Sequence, residues 1–386
     1  MGQAVIVEAV RSPIGRKNGA FRETRPDDLY AAVLDALIER SGIDPAKIED
    51  VVSGCVVNIG EQGMNMGRGA VLLSQKFPIT VPATTLNRMC GSAQQAIHFV
   101  SQAIDAGDMQ YGVAGGAESM NRMPMGGDLV VNGEMKINQR FLEKYGMVPM
   151  GEASEMIAQK YGFSRRDLDE FSFESHKRAA AAIKNGYQRS QIAPMEGLTK
   201  EGQKFVLDRD EGVRLEPSLE SMMSLPPSFR TDGVTTAGNS SQISDGAAAV
   251  LIADKDVAKA DGFRPRAKFL ARVVVGGDPI IQLLEPANAT KAALKKAKLS
   301  LKDIDIIEIN EAFASVVLAW AREINPDMDK VNVNGGAIAH GHPLGATGAI
   351  LMTKLVNELE RRDATLGLQV MCTAQGMATC TIIERI

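Results

Sequence analysis

Short runs of apolar and β-branched residues alternate along this chain with stretches whose apolar positions recur every three to four residues. Strands and helices are therefore expected to alternate. Val5 to Val10 is apolar except for Glu8, the pattern of a buried strand. Pro26-Asp27-Asp28 then opens a helix that carries Leu29, Ala32, Val33, Ala36 and Leu37 on one face. Val51 to Val57 reads as the next strand, with Cys55 inside it. Ile79 to Leu86 is apolar and β-branched and leads into an Ala/Ile-rich helical stretch that starts near Cys90. Tyr111 to Gly116 is a further strand. Alternation of this kind predicts an α/β fold.

The pattern also repeats. Ala36 to Ile43 followed by Lys47 to Val52, and Ala293 to Leu299 followed by Lys302 to Ile307, are both helix, turn, acidic residue and strand at nearly the same spacing. Cys90-Gly91-Ser92-Ala93 and Gly341-His342-Pro343-Leu344-Gly345-Ala346 each open an amphipathic helix. Between the halves, residues 119–247 differ in character, being rich in Met, Gly and charge, with a helix expected over Leu168 to Asn185. The region reads as an inserted loop domain. Its methionines, among them Met120, Met123, Met125, Met135, Met147 and Met150, either fill an irregular core or line an apolar channel.

Composition narrows the classes. A chain of 386 residues, 45% hydrophobic and 23% charged, is long enough for two or three domains and typical of soluble globular proteins. A net charge of −4 gives no reason to expect nucleic acid or an anionic membrane as partner. The 4 cysteines form no Cys-x-x-Cys pair, so neither a disulfide framework nor zinc is expected, and reduced thiols fit best. No basic leader, membrane-length apolar run or C-terminal peroxisomal address is present, which predicts a cytoplasmic location.

Three segments carry candidate chemistry. Cys90, in Asn87-Arg88-Met89-Cys90-Gly91-Ser92-Ala93, stands at a strand-to-helix junction, where free N–H groups and the helix dipole favour thiolate. It reads equally as a small buried hydrophobe. Cys55 and Cys380 lie within strand-like runs, and His98 and His176 within helix-like ones, so all four read as structural. In Asn334 to Gly348 the glycines permit close approach of a ligand, Pro343 suits the first position of a helix, and His340 and His342 are the remaining histidines. No acidic residue or cysteine lies near them in sequence, so no metal site is expected. Asn310-Glu311-Ala312-Phe313-Ala314 follows the strand Ile306 to Ile309, where Asn310 is either a helix cap or a functional side chain. Met371-Cys372 supplies a second thiol. Two thiols and an imidazole are parts suited to acyl transfer.

Taken in order, these residues resemble the thiolases, the acetyl-CoA acetyltransferases and 3-ketoacyl-CoA acyltransferases. Glu8 to Gly15, Asn87 to Ser92, Gly115 to Met120, Ala237 to Ser241, Asn310 to Ala314, Asn334 to Gly348 and Cys372 carry the likeness over nearly the whole chain. The resemblance implies a five-layered αβαβα fold of two similar halves, 1–268 with the loop domain inserted and 269–386. It implies a coenzyme A thioester substrate, coenzyme A as co-substrate with no permanently bound cofactor, and a ping-pong reaction. Cys90 would be the nucleophile, His342 its base and Cys372 a general acid. His342 and an Asn310-held water would serve one oxyanion, and the N–H groups of Cys90 and Ala374 the other. Ser241 and Phe313 would line the pantetheine arm, with Met150 in the substrate-binding set. Related enzymes are homodimers or homotetramers, and some pair with a hydratase/dehydrogenase subunit.

Three departures stand out. The glycine pair usual after the second cysteine reads Thr373-Ala374-Gln375-Gly376. A histidine of many short-chain enzymes is Pro149, and an arginine common before the Ala-Gly-Asn segment is Pro226. The missing histidine and the methionine-rich insert favour cleavage of 3-ketoacyl chains longer than acetoacetyl. The alternatives are a condensing acetoacetyl-CoA thiolase and a non-catalytic acyl-CoA-binding subunit. A decarboxylating ketoacyl synthase would need a histidine where Asn310 stands.

Overall fold

The computed structural model describes residues 2–386. The first part of the chain forms strands β1 (Ala4–Arg11), β2 (Gly15–Arg16), β3 (Asp50–Gly54), β4 (Ala83–Leu86) and β5 (Tyr111–Ser119), with helices α1 (Pro26–Ser41), α2 (Met66–Leu73) and α3 (Ser92–Ala106). The chain then leaves the sheet. It makes hairpin β6 (Val130–Val131) and β7 (Glu134–Met135), helices α4 (Gln139–Tyr145), α5 (Met150–Tyr161) and α6 (Arg165–Lys184), hairpin β8 (Met195–Leu198) and β9 (Lys204–Leu207), and helix α7 (Leu219–Met223). It returns as β10 (Ser244–Asp254), followed by α8 (Lys255–Ala260), β11 (Ala267–Gly276), α9 (Pro286–Ala297), β12 (Ile306–Ile309) and α10 (Ala314–Ile324). The last elements are α11 (Ala337–His340), α12 (Thr347–Arg361), β13 (Leu366–Thr373) and β14 (Met377–Arg385).

The main strands run in the order β12-β13-β14-β11-β1-β10-β5-β3-β4, with β2 beside β10. The two halves of this path join through a thin ladder, in which β1 and β11 pair only at Val5–Lys268 and Ile6–Ala267. Helices α3 and α12 pack on each other, and α12 reaches strands of both halves. Polar contacts from α3 cross to the second half as well, with Gln94 Nε2 donating to Thr381 Oγ1 at 2.7 Å. Helices α1 and α2 cover the outer face of the first half, and α9 and α10 that of the second. The layers are helix, sheet, helix, sheet, helix.

The period-2 pattern sorts side chains between these layers. Along β10, Ala247, Ala249, Leu251 and Ala253 join the core beneath α1, whereas Ala248, Val250 and Ile252 join the core around α3 and α12. Both faces are buried, so the strand carries no polar alternation. The sequence repeat is visible as structure. Helix α1 ends at left-handed Gly42 and passes through the turn Pro45–Lys47 into β3, while α9 ends at left-handed Lys298 and passes through Leu301–Asp303 to β12. The two helices opened by the candidate segments, α3 and α12, are neighbours in the central layer. Among the described residues, no helix is long and apolar enough to cross a membrane.

Two expected boundaries are corrected. Strand β3 stops at Gly54, because the Glu118 carboxylate captures the N–H groups of Val56 (2.8 Å) and Val57 (3.1 Å) and turns the chain off the ladder. Cys55 therefore lies just beyond the strand. Helix α12 begins at Thr347 and not at Pro343, whose carbonyl instead accepts the N–H groups of Ala346 and Thr347, both at 3.0 Å, in a preceding turn.

Candidate active site

Cys90 is presented by a strained turn between β4 and α3. Asn87 Oδ1 accepts the Met89 N–H at 2.7 Å, Met89 adopts φ 48°, and Ser92 Oγ donates to Met89 O at 2.6 Å. The cysteine is 5% exposed. Burial pushes its thiol up to about 12, with the Glu118 charge adding to the rise, while the N–H groups of Ala374 and Cys90 itself pull the other way. The dipole-favoured thiolate expected from the sequence is thus overturned for the resting enzyme. A helix terminus supplies on the order of 1 kcal/mol, less than desolvating a thiolate costs. Burial therefore favours the thiol form of Cys90.

His342 lines the same cavity as Cys90. It is held by Gly341, whose φ of 113° and contact with Ser244 Oγ exclude a side chain. Thr347 Oγ1 donates to Pro343 O at 2.8 Å and lies 2.6 Å from His342 Nδ1. With the hydroxyl proton committed to the carbonyl, the oxygen accepts from Nδ1–H, and Nε2 carries the lone pair. Burial lowers the imidazole to about 4, so it is neutral near pH 7. His340, two residues earlier, points elsewhere: its Nδ1 is 2.9 Å from Asp210 Oδ2 and its Nε2 is 2.9 Å from Asn334 O.

Asn310 follows β12, with its Nδ2 3.3 Å from His342 Nε2. Helix α10 instead takes Phe313 as its N-cap residue, without a side-chain bond, so Asn310 is no cap. Its Oδ1 is buried and has no hydrogen-bond partner among the described residues. Cys372 closes the group from β13, its thiol pushed up by burial and by the Cys90 sulfur. Ala374 lies outside the left-handed region, which Gln375 (φ 65°) and Gly376 (φ 74°) occupy instead. The Ala374 N–H therefore survives as a donor without a glycine.

Cys90, His342 and Cys372 face one cavity of about 550 Å³. Ser241, Phe313 and Met150 line it too, as do Met120 and Met125. Phe313 meets Phe229 edge-on at 6.1 Å. Of the methionines in the insert, Met135, Met147 and Met223 are exposed, as is Met125 where it borders the cavity. Cys380 is buried in the outer core of the second half. His98 Nε2 pairs with Thr381 Oγ1 at 2.8 Å, and His176 Nδ1 accepts the Arg214 N–H at 3.3 Å, both away from the cavity.

Several lining or supporting residues escape the sequence reading. Phe229, Leu283, Arg16 and Lys17 border the cavity. Glu118 accepts Val56 N–H, Val57 N–H, Gln62 Nε2 and the Gly345 N–H (2.8 Å), so it ties the His342 loop to the first half. Burial raises its pKa against these four donors. Thr347 had one available signal, a hydroxyl five residues after a candidate base at a helix start. Altogether a neutral imidazole and two thiols face the cavity, with the Ala374 N–H beside Cys90.

Comparison with known proteins places the chain in a family. Residues 4–256 match the family described as thiolase, N-terminal domain, and residues 263–385 that described as thiolase, C-terminal domain. A 3-ketoacyl-CoA thiolase of Erwinia tasmaniensis is 44% identical over 393 residues, covering 100% of both chains. A steroid 3-ketoacyl-CoA thiolase of Mycobacterium tuberculosis is 43% identical, covering 100% of this chain and 95% of that one. The crystal structure of the Bacillus anthracis acetyl-CoA acetyltransferase superposes with a TM-score of 0.92 at 35% identity, over 100% of this chain and 99% of that one. With both family domains matched in order and full-length relatives at this identity, the chain belongs to the thiolase family.

Proposed function

We propose that this protein cleaves 3-ketoacyl-CoA with coenzyme A, giving acetyl-CoA and an acyl-CoA two carbons shorter. The observation that carries the reading is the convergence of Cys90, His342 and Cys372 on one cavity. His342 Nε2 takes the Cys90 proton as the sulfur attacks the 3-keto carbon. The N–H groups of Cys90 and Ala374 hold the resulting oxyanion. The C2–C3 bond breaks, leaving the acyl group on Cys90 and an acetyl-CoA enolate, whose oxygen is held by protonated His342 and a water on Asn310. Cys372 gives its proton to C2. Coenzyme A then loses its thiol proton to the Cys372 thiolate and attacks the acyl-enzyme, and the departing Cys90 sulfur recovers its proton from His342. Both half-reactions close without another cofactor.

Ser241, Phe313 and Met150 act in this reading as contacts for the pantetheine arm and acyl group. The chain divides into halves 1–268 and 269–386, with 119–247 as the inserted loop domain. It works as a cytoplasmic homo-oligomer. The apolar wall of Met120, Met125, Met150 and Leu283 favours chains longer than acetoacetyl. The likeness to an acetyl-CoA acetyltransferase structure favours a second reading, the acetoacetyl-CoA thiolase. A coenzyme A-dependent cleavage series over acetoacetyl-, 3-ketooctanoyl- and longer 3-ketoacyl-CoA separates the two, and faster turnover of acetoacetyl-CoA would reverse the preference. Mass analysis of the Cys90 peptide during turnover tests both, since binding without an acyl adduct would leave only a scaffold role.

A further inference from the structure

The turn between β13 and β14 follows Cys372 of the cavity wall and is held in a strained conformation. Ala374 directs its N–H at Cys90. The next residue, Gln375, is an L-residue held at φ 65°, a conformation that costs on the order of 1 kcal/mol and persists only when surroundings enforce it. The surroundings that do so come from the segment after β11. Gly277 N–H donates to Gly376 O at 2.6 Å, and the Asp278 carbonyl packs so closely on Gly376 that a side chain there would collide. Gln282 Oε1 accepts the Gln375 N–H at 2.8 Å. Gln282 is 7% exposed and itself sits at φ 35°, so two strained residues face each other across one hydrogen bond.

The other end of the same amide reaches the insert. Gln282 Nε2 donates to Val148 O at 2.7 Å, two residues before Met150 on the cavity wall. Leu283, the next residue, lines the cavity and packs in one cluster with Cys372 and Phe313. A single carboxamide therefore joins the turn carrying the oxyanion donor to the wall that meets the acyl group.

We propose that Gln282 is a positioning residue for acyl transfer: its amide holds the strained Gln375 turn, and through it the Ala374 N–H, in register with Cys90, and anchors that turn to the acyl-pocket wall at Val148. The inference rests on the thiolytic reading above. A donor displaced by a fraction of an ångström stabilises the oxyanion poorly while substrate binding is little changed. The effect belongs in kcat and not in KM.

Three variants test this against the wild type with acetoacetyl- and 3-ketooctanoyl-CoA. Gln282→Met keeps the volume and loses both hydrogen bonds. Its kcat is expected to fall about tenfold or more with both substrates, with the KM for acetoacetyl-CoA within about threefold and the KM for 3-ketooctanoyl-CoA raised by loss of the Val148 anchor. Adding Gln375→Gly to Gln282→Met removes the strain that the clamp restrains, and should bring kcat back to within about threefold of wild type. Gln282→Glu keeps the acceptor for Gln375 but loses the donor to Val148. It should hold kcat within about threefold while raising KM for the longer substrate. A Gln282→Met kcat within about twofold of wild type would overturn the proposal, as would no recovery from Gln375→Gly in a variant with the wild-type melting midpoint. If Gln282→Met does not fold, Gln282→Glu decides, and a tenfold kcat loss there counts against the clamp. An inactive wild type would overturn the thiolytic reading as well, whereas an active wild type with indifferent variants overturns the clamp alone.

Discussion

In the proposed reaction Cys90 carries the acyl group, so Cys90→Ala is expected to lose turnover to near background in a coenzyme A-dependent cleavage assay. Cys372→Ala should block turnover too, yet still form an acyl-enzyme from a simple acyl-CoA, visible as a mass increase on Cys90. An unmodified Cys90 in that variant would remove the division of labour between the thiols. Thr347 offers a sharper test of His342. Thr347→Val preserves shape but gives Nδ1–H no acceptor, which frees the tautomer that places the proton on Nε2. A kcat loss of about tenfold or more is expected, largely restored by Thr347→Ser; equal loss in both variants would point to packing instead. Cys90 and His342 stand out as candidates because junctional and glycine-rich segments mark where reactive side chains can stand, whereas Cys372, inside a strand, stands out only through the likeness to the thiolases. Thr347, Glu118 and Gln282 do not stand out. Each acts by what it touches across the fold, and Glu118 and Gln282 serve atoms up to 227 residues away.

Helices α3 and α12 show how element packing limits substitution. Gly348 lies where α12 crosses α3, and an added Cβ would collide with the backbone nitrogen of Gln94. Gly348→Ala is expected to destabilise by about 1–3 kcal/mol and lower the melting midpoint by several degrees. Gly69, inside α2, has only a distant neighbour at 4.0 Å. Gly69→Ala should therefore stabilise by up to about 1 kcal/mol through helix propensity. Calorimetry on both variants checks the pair, and a neutral Gly348→Ala would mean that the helices can separate freely. Element existence was readable from periodicity at this scale. Boundaries were less so, since Glu118 ended β3 early and the Pro343 turn delayed α12. A side chain arriving from another strand has no local signature.

At the scale of the whole molecule, burial sets the response to acid. Burial lowers His98 to about 3 and His176 and His342 to about 4. Their folded values lie below the unfolded value near 6.5, so the unfolded chain binds more protons as pH falls. Their contribution to stability is complete above about pH 6.5 and is lost toward pH 4, at about 1.4 kcal/mol per pH unit for each histidine once titrating. Asp210 is raised by burial but pulled well below its usual range by Arg11 and His340, and adds to the loss at lower pH. The melting midpoint should fall steadily from pH 7 to pH 4, and a flat profile would show that these histidines are more solvated than the fold implies.

The chain by itself determined the alternation of strand and helix and the repeat between its halves, and through its likeness to the thiolases it marked the candidate reactive groups. These depend on local periodicity and on residue chemistry, both of which are written in order along the sequence. Tertiary structure decided the ionisation of those groups and what holds them. Cys90 rests as a thiol, although its place before a helix argues for thiolate, because the desolvation imposed by the surrounding layers outweighs the helix end. Likewise Ala374 can stand where a glycine was expected, since the strain moved to Gln375 and the distant Gln282 restrains it there. Desolvation and strain are properties of packed neighbours, and no stretch of sequence contains its own neighbours.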